Sequence, residues 1–507
     1  MHCRSTTPGP SRRYVWGLLA ILAVSLAVRF YRVDAPVVDG FWDKQVAVAN
    51  RARNIAGPPF DIFNGDFDFV LRPDGSNISS TEEIPLYGAL VAVGYRLFGE
   101  QDWWGRLVSA GGSLIAIFAF VALLRREFDE EFALVAGLFL AASPLLLFYG
   151  RSVLPDTCML GFMILAVYFF RLGLDKHGTT WIIASGIAGL VAVAFKYYGL
   201  MVLLPLAFEA WRARRWGGLG PLALSTAIMT VPLAVWMFAV FLRTANPAEH
   251  ATYFIFQDPA ILGDKHLWTR LADRFLWKSC GPVATIFIGI GAYAVVARRV
   301  KMGSLPTWCV MGLLFYFLLA PKAIGHEYYE LMMLPGAAGM AALGWRFLFS
   351  PRPEAGRRPL QRLAGAAVLV LAVVIHSPWV STSRFRQDQG FLRAADSIRQ
   401  HCSPEGRIVA GPNTPQPIIH HARRQGWTWQ EFPDDWRTRF SEYQRAGGEL
   451  IVLHFNHRTT PHQRARYTPM IRELPVLDHQ QGNWNIDGSE AEFYLLRLSD
   501  VPPVIEP

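Results

Sequence analysis

Disulfide and metal-thiolate chemistry have almost no foothold in this 507-residue chain, which carries five cysteines, none in a Cys-x-x-Cys pair and none at ligand spacing with histidine. That excludes a disulfide-stapled scaffold and a zinc ribbon. Cys158, Cys280 and Cys309 lie in or beside apolar runs and read as small buried hydrophobes, while Cys3 and Cys402 stand apart. Charge is scarce too, at 18% of residues against 52% hydrophobic, and mean hydropathy is positive at +0.22. That balance excludes an ordinary soluble enzyme. The formal charge of +9 does not argue for nucleic acid. The Arg and Lys fall in short clusters just after apolar runs, and no basic patch is interleaved with aromatics. Internal repeats and low-complexity segments are also lacking. The first apolar run, Tyr14 to Val28, ends in Arg29-Phe30-Tyr31-Arg32 with no small-x-small cleavage site. It therefore reads as an uncleaved span rather than a signal peptide.

What the chain has instead is apolar runs of about 16 to 22 residues, the length that crosses a bilayer as helix. Eleven candidate spans lie at about 14–30, 106–124, 132–149, 155–172, 180–195, 198–211, 219–242, 280–297, 306–321, 328–349 and 363–380. Arg12-Arg13, Arg125-Arg126, Arg171 to Lys176, Arg212 to Arg215, Arg298 to Lys301 and Arg352 to Arg362 fall on one side. The positive-inside rule makes that side cytoplasmic, with the N-terminus inside and the C-terminal part outside. The expected architecture is an α-helical polytopic membrane protein over 1–383, with an outer first loop over 31–104, in a cell inner or plasma membrane. An outer α/β domain follows over 384–507. In that domain Gly390–Gln400 and Pro417–Gln425 read as helices. Arg407–Ala410, Glu449–Leu453 and Phe493–Leu498 read as strands. In the first loop, Asp43–Ile55 and Ile84–Phe98 carry apolar residues at helical spacing and read as interfacial helices.

The outer side collects the ionisable residues. A carboxylate near a membrane is expensive to desolvate unless it faces a wet cavity or a partner, so each is a candidate site residue. Asp39 and Asp43 are four apart, one turn if a helix has begun by then, and like charges there repel unless one is protonated or meets a cation. The plainer reading makes Asp39 an N-cap and Asp43 a solvated acid. Glu83, in Ser80-Thr81-Glu82-Glu83-Ile84-Pro85, is a binding candidate or simply favours a helix N-terminus. Asp156, after Leu154-Pro155, suits the start of the fourth span, and Arg151 precedes it in the same loop. Lys196 follows an apolar run beside Tyr197-Tyr198 and either snorkels or meets an anion. His326-Glu327-Tyr328-Tyr329 opens the tenth span, where His326 and Tyr329 are phosphate contacts or belong to the interface belt. Together these suggest that an acid takes a proton from a hydroxyl or amine nucleophile while Lys, Arg or His stabilises a departing phosphate. His420-His421 and His454/His457 lack carboxylate or cysteine partners at ligand spacing and read as surface or core histidines.

The order of short motifs resembles the GT-C membrane glycosyltransferases, in particular the branch of protein O-mannosyltransferases and lipid A aminoarabinose transferases. The resemblance covers roughly residues 14–350. It rests on Ala52-Arg53-Asn54, Glu83-Ile84-Pro85-Leu86-Tyr87, Leu97-Phe98-Gly99, Trp104-Gly105-Arg106-Leu107, Ser143-Pro144, Tyr149-Gly150-Arg151, Leu154-Pro155-Asp156 and His326-Glu327-Tyr328-Tyr329. It implies a glycosyltransferase that moves a sugar from a polyprenyl-phosphate donor to a glycan, lipid or protein acceptor on the outer face. It also implies that an acid of the first outer loop is the base, with Asp43 first and Asp39 second, and that Asp156 matches the second family acid. The family's Asp-Glu pair is absent, since the residues are Asp39-Gly40 and Asp43-Lys44. Ile84 replaces the basic residue often found before the proline, so phosphate contacts shift to Lys196, Arg151 and His326, with Glu83 and Tyr329 beside them. Some relatives bind a divalent metal, for which Asp43, Asp156 and Glu83 would be the ligands, and others need none. The alternative is a transporter or flippase for a lipid-linked sugar, which would show paired halves with broken helices at mid-membrane. No such halves are present, and the polar residues gather at one face.

Overall fold

The computed structural model describes residues 9–72, 74–79, 84–213, 218–243, 262–298, 300, 302–319, 323–349, 358–372, 374, 383–413, 415–429, 435–485 and 487–501. In chain order the helices are α1 (Arg12–Arg29), α2 (Trp42–Ala56), α3 (Leu86–Phe98), α4 (Asp102–Arg125), α5 (Glu130–Ala142), α6 (Pro144–Tyr149), α7 (Asp156–Lys176), α8 (Thr179–Phe195), α9 (Leu203–Arg212), α10 (Leu219–Arg243), α11 (Lys265–Asp273), α12 (Pro282–Arg298), α13 (Leu305–Leu318), α14 (Leu334–Phe349) and α15 (Arg358–Leu371). The C-terminal part adds α16 (Gln389–His401), α17 (Gln416–Ala422), α18 (Trp436–Arg445) and α19 (Pro461–Glu473). The strands are β1 (Asp66–Leu71), β2 (Asn77–Ser79), β3 (Arg407–Gly411), β4 (Gly426–Thr428), β5 (Gly448–Phe455), β6 (Val476–Gly482) and β7 (Ala491–Arg497).

These elements form two compact units. One comprises 1–33, 82–84 and 106–381; the other comprises 34–81, 85–105 and 382–507. The last division of the chain between them falls at 381/382. The first loop, however, is grouped with the C-terminal residues rather than with the spans on either side of it.

In the helical unit a helix lies at each expected span, with 373 and 375–380 of the last one outside the described residues, and among the described residues four stretches are long and apolar enough to cross a bilayer unaided: 102–125, 156–176, 219–239 and 327–349. A fifth arises if 265–280 and 282–297, bent by 111°, count as one. Several expected spans are broken at residues whose chemistry explains the break. The 132–149 run divides at Ser143, whose side chain caps α6 by accepting from Leu146 N at 3.4 Å, while Pro144 fills the first helical position. The fifth and sixth expected spans, 180–195 and 198–211, are separated as expected at Lys196 (φ −165, ψ 135), which ends α8 in extended backbone, and the sixth begins as a 3₁₀ segment, Tyr197–Val202. The tenth span begins as a 3₁₀ segment, Glu327–Met333. Helices α4 and α7 cross in close approach. A Cβ on Gly112 would lie 2.5 Å from the Cα of Cys158, and one on Gly161 would lie 2.4 Å from the Gly112 carbonyl oxygen. Small residues at a helix crossing let the backbones meet this way.

In the second unit, a five-stranded sheet runs β4-β3-β5-β7-β6, with β4, β3 and β5 parallel and β7 antiparallel to both β5 and β6. Strand β5 reads as an almost continuous apolar run because both of its faces are covered. One face carries a core of Val409, Trp427, Phe440, Ile451, Leu453, Phe455 and Tyr467. Leu71, from the β1–β2 hairpin of the first loop, belongs to that same core. Trp427 Nε1 also donates to the Arg72 carbonyl at 2.8 Å. The expected helices and strands of this part are present. Sequence periodicity missed the short β4, α18, α19 and the polar edge strand β6.

Candidate functional site

In the helical unit the expected residues converge on one buried ion pair. Asp156 opens α7 with Pro155 as its cap and is 2% exposed. Its Oδ1 accepts from Lys196 Nζ at 2.9 Å, and its Oδ2 has no hydrogen-bond partner among the described residues. Lys196 does not snorkel. The extended backbone at the end of α8 turns its ammonium into a ring of tyrosines, 4.5 Å from the centroid of Tyr328, 5.5 Å from Tyr329 and 5.8 Å from Tyr198. A desolvated cation over aromatic faces is held by their quadrupoles. His326 stacks on Tyr328 at 5.3 Å and meets Tyr329 edge-on at 6.0 Å. Tyr329 and Tyr198 bring their hydroxyls to 3.5 Å. Lys196, His326, Tyr329 and Asp156 are therefore one cluster, made from the ends of α7 and α8 and the 3₁₀ start of the tenth span.

Arg151 is buried in the loop before α7, and its Nη2 donates to the Arg32 carbonyl at 2.8 Å. Arg106 Nη1 donates to the same carbonyl at 2.8 Å. Two guanidinium groups on one carbonyl fix the end of the first span to the loop that presents Asp156. The loop is tied further by Ser109 Oγ to the Leu154 carbonyl and by Thr157 Oγ1 to the Ser109 carbonyl, at 2.9 and 3.0 Å.

Two further groups escaped the sequence reading. Glu330 is fully buried and accepts from Arg274 Nε at 2.6 Å, from the Tyr316 hydroxyl at 2.9 Å and from the Ser279 hydroxyl. Arg274 also caps the Ile324 carbonyl at 2.8 Å. Glu327 accepts from the Tyr149 hydroxyl at 3.2 Å. The signal for Glu330 was available: an ionisable residue inside an apolar span is a functional candidate by default.

In the second unit Asp39 and Asp43 take different places. Helix α2 begins at Trp42, after Phe41 in the left-handed region at φ 56, so the expected helical turn joining the two acids is not formed. Asp39 precedes the helix, is 3% exposed, and accepts from Gln45 Nε2 at 2.8 Å. It is not the N-cap, a position held by Phe41. Asp43 lies in the first turn of α2, half-buried, where a negative charge favours the helix N-terminus. The Ala52-Arg53-Asn54 motif at the other end of α2 is structural. Arg53 pairs with Glu100 at 2.5 Å and donates to the His420 carbonyl at 2.9 Å, and Asn54 Nδ2 donates to the Asp66 carbonyl at 2.9 Å. Glu83 lies outside the described residues.

Among the described residues no three His, Cys, Asp or Glu side chains gather as a metal ion requires. Asp156, one of the expected ligands, is bonded to Lys196. His420 and His454 are core histidines, 1% and 0% exposed, and burial holds both below the usual imidazole range, His454 at about 3.

The fold is that of the GT-C membrane glycosyltransferases, a multi-pass helical unit joined to a small α/β unit. Residues 82–242 match the family model for dolichyl-phosphate-mannose-protein mannosyltransferases. ArnT from Cupriavidus metallidurans in the apo state superposes with a TM-score of 0.67 at 17% identity, covering 97% of this chain and 100% of that one. The same protein bound to undecaprenyl phosphate gives 0.64 at 16%, covering 96% and 99%. The oligosaccharyltransferase of Archaeoglobus fulgidus gives 0.56 at 12%, covering 87% of this chain and 69% of that one. No curated protein matches the chain by sequence.

Proposed function

We propose that the chain is a glycosyltransferase that moves a sugar from a polyprenyl-phosphate donor to an acceptor on the outer face of the membrane. The observation that carries this reading is the buried Asp156–Lys196 pair under its tyrosine cluster, in a chain whose fold is shared along nearly its whole length with a protein solved with undecaprenyl phosphate. The Lys196 ammonium is a cation with three N–H donors, held beside the Asp156 carboxylate, and it offers both charge and hydrogen bonds to a phosphate's oxygens. His326 and the Tyr329 hydroxyl add donors from the adjacent segment.

The reaction needs a base and a stabilised leaving group. A carboxylate of the first loop, Asp43 with Asp39 as second choice, takes the proton of the acceptor hydroxyl or amine as that atom attacks the anomeric carbon. The bond from that carbon to the donor phosphate oxygen breaks, and its electron pair leaves on the polyprenyl phosphate. Lys196 stabilises that charge, with His326 and Arg151 as further contacts, so the leaving group needs no proton. Asp156 orients Lys196 and keeps its charge compensated when no donor is bound.

The test is transfer by purified protein in lipid nanodiscs, with radiolabelled polyprenyl-phosphate mannose, glucose and arabinose as donors and a membrane extract as acceptor source. The expected result is label in the acceptor with stoichiometric release of polyprenyl phosphate. Donor carried intact across sealed vesicles, without cleavage, would instead identify a flippase.

A further inference from the structure

We propose that Arg458, in the loop after β5, is a positioning residue for the acid segment Pro36–Asp43, acting through the Trp42 ring on which it sits. The inference rests on the proposed function for its catalytic consequence, and on contacts within one compact unit for its geometry.

The segment that carries both candidate bases has little structure of its own. It enters α2 through Phe41 at φ 56, a conformation that a bulky side chain adopts only where its surroundings impose it. From its own loop it receives the Gln45 amide, which bridges the Asp39 carboxylate and the Gly40 carbonyl at 2.8 and 2.7 Å, and the Asp102 carboxylate on Val37 N at 3.0 Å. Further holds come from the far end of the chain. Gly40 N donates to the Arg384 carbonyl and Asp388 N to the Val38 carbonyl, each at 3.0 Å. Gln387 Nε2 donates to the Pro36 carbonyl at 3.2 Å. Phe391 packs on Trp42 with centroids 5.3 Å apart, and the Arg458 guanidinium lies over the same indole at 4.4 Å.

Trp42 is the residue between Phe41 and Asp43, and it is 2% exposed. Phe391 and the Arg458 guanidinium both bear on this ring, and together they hold it and the first turn of α2 in place. Backbone hydrogen bonds place the segment in register, and the contacts on Trp42 add a hold on the rotation of the helix start that carries Asp43. An arginine suits this place because its planar cation stacks on an indole, which a neutral side chain of the same length does not reproduce.

The experiment pairs transfer kinetics with amide hydrogen exchange in the full-length protein in nanodiscs, using R458A, R458K and, as a milder loosening, Q387A. In R458A the kcat is expected to fall at least about tenfold while donor KM stays within about twofold, because misaim of a base costs rate rather than donor affinity. Exchange at 36–46 should rise, with none at 179–195. R458K, which keeps the charge but not the planar stack, should recover only part of the rate, and Q387A should raise exchange at 36–40 alone. R458A with unchanged kcat per folded molecule overturns the proposal, as does unchanged exchange at 36–46. If the wild type cleaves no donor in the panel, the proposed function fails, and the exchange result alone decides whether Arg458 holds the segment.

Discussion

Asp156 and Asp39 are both carboxylates buried just before or at the start of a helix, and the two units satisfy them in opposite ways. Asp156 is met by a full positive charge, with its second oxygen left without a hydrogen-bond partner among the described residues. Asp39 is met by the neutral amide of Gln45, which also grips the next carbonyl. The first arrangement compensates charge and suits a place where an anion comes and goes. The second orders a backbone turn. Of these two buried acids, one holds a cation and the other shapes the segment ahead of α2, while Asp43 is half-buried in the first turn of that helix and is the acid proposed above as the base.

The contrast can be broken most sharply at Lys196. Lys196→Ala strands the Asp156 charge in a buried site and is expected to cost about 3–5 kcal/mol of stability, read as a lower unfolding temperature in nanodiscs. A second change, Asp156→Asn, should restore much of that stability but not transfer; restored transfer would remove Lys196 from phosphate binding. Next comes Asp43→Asn, which should lower transfer by about 10²- to 10⁴-fold with folding intact, the usual contribution of a general base. Near-normal turnover would hand the role to another group. Asp39→Asn keeps the Gln45 hydrogen bond and should be milder, whereas Gln45→Leu removes the amide that bridges the Asp39 carboxylate and the Gly40 carbonyl and should cost about 1–3 kcal/mol.

The smallest expected effect concerns pH. Burial pushes Asp388 up to about 7, whereas the unfolded carboxyl titrates near its ordinary 3.8. Its contribution is complete below that unfolded value and is lost as pH rises through about 7. His454, buried to a value of about 3 against 6.5, contributes in the opposite sense, fully above 6.5 and progressively less as pH falls toward 3. Between about 4 and 6.5 the two slopes oppose each other, so the wild type should show a shallow dependence there. Asp388→Asn should expose a steeper loss of stability toward acid, and His454→Gln the reverse, measured as unfolding temperature against pH. Parallel profiles for both variants would show that these groups are not titrating as placed.

Much of this molecule was legible without coordinates because membrane and sheet chemistry write themselves as runs and periods. The apolar runs located the helices of the first unit, and Pro155-Asp156 announced the start of α7, since proline at a first turn and an acid at a helix N-terminus are local preferences. Strands β3, β5 and β7 were visible as apolar stretches between turns. The short β4 and the polar β6 were not, because an edge strand's pairing is set by its neighbour rather than by its own pattern.

The candidate residues themselves were found one at a time by their type. Their partnerships were not: Lys196 reads as a snorkelling or phosphate-binding cation until the end of α8 turns it onto Asp156, forty residues earlier. Glu330 and Arg274 lie 56 residues apart, and Arg458 reaches Trp42 across most of the chain. Composition and hydropathy determined that this is a helical membrane chain with a small α/β region, and short-range preferences determined where its helices begin. Only the tertiary structure decided that the first loop shares a core with the last 126 residues, and which buried charge answers which. Such pairings depend on burial and on contacts distant in sequence, and neither leaves a local period to read.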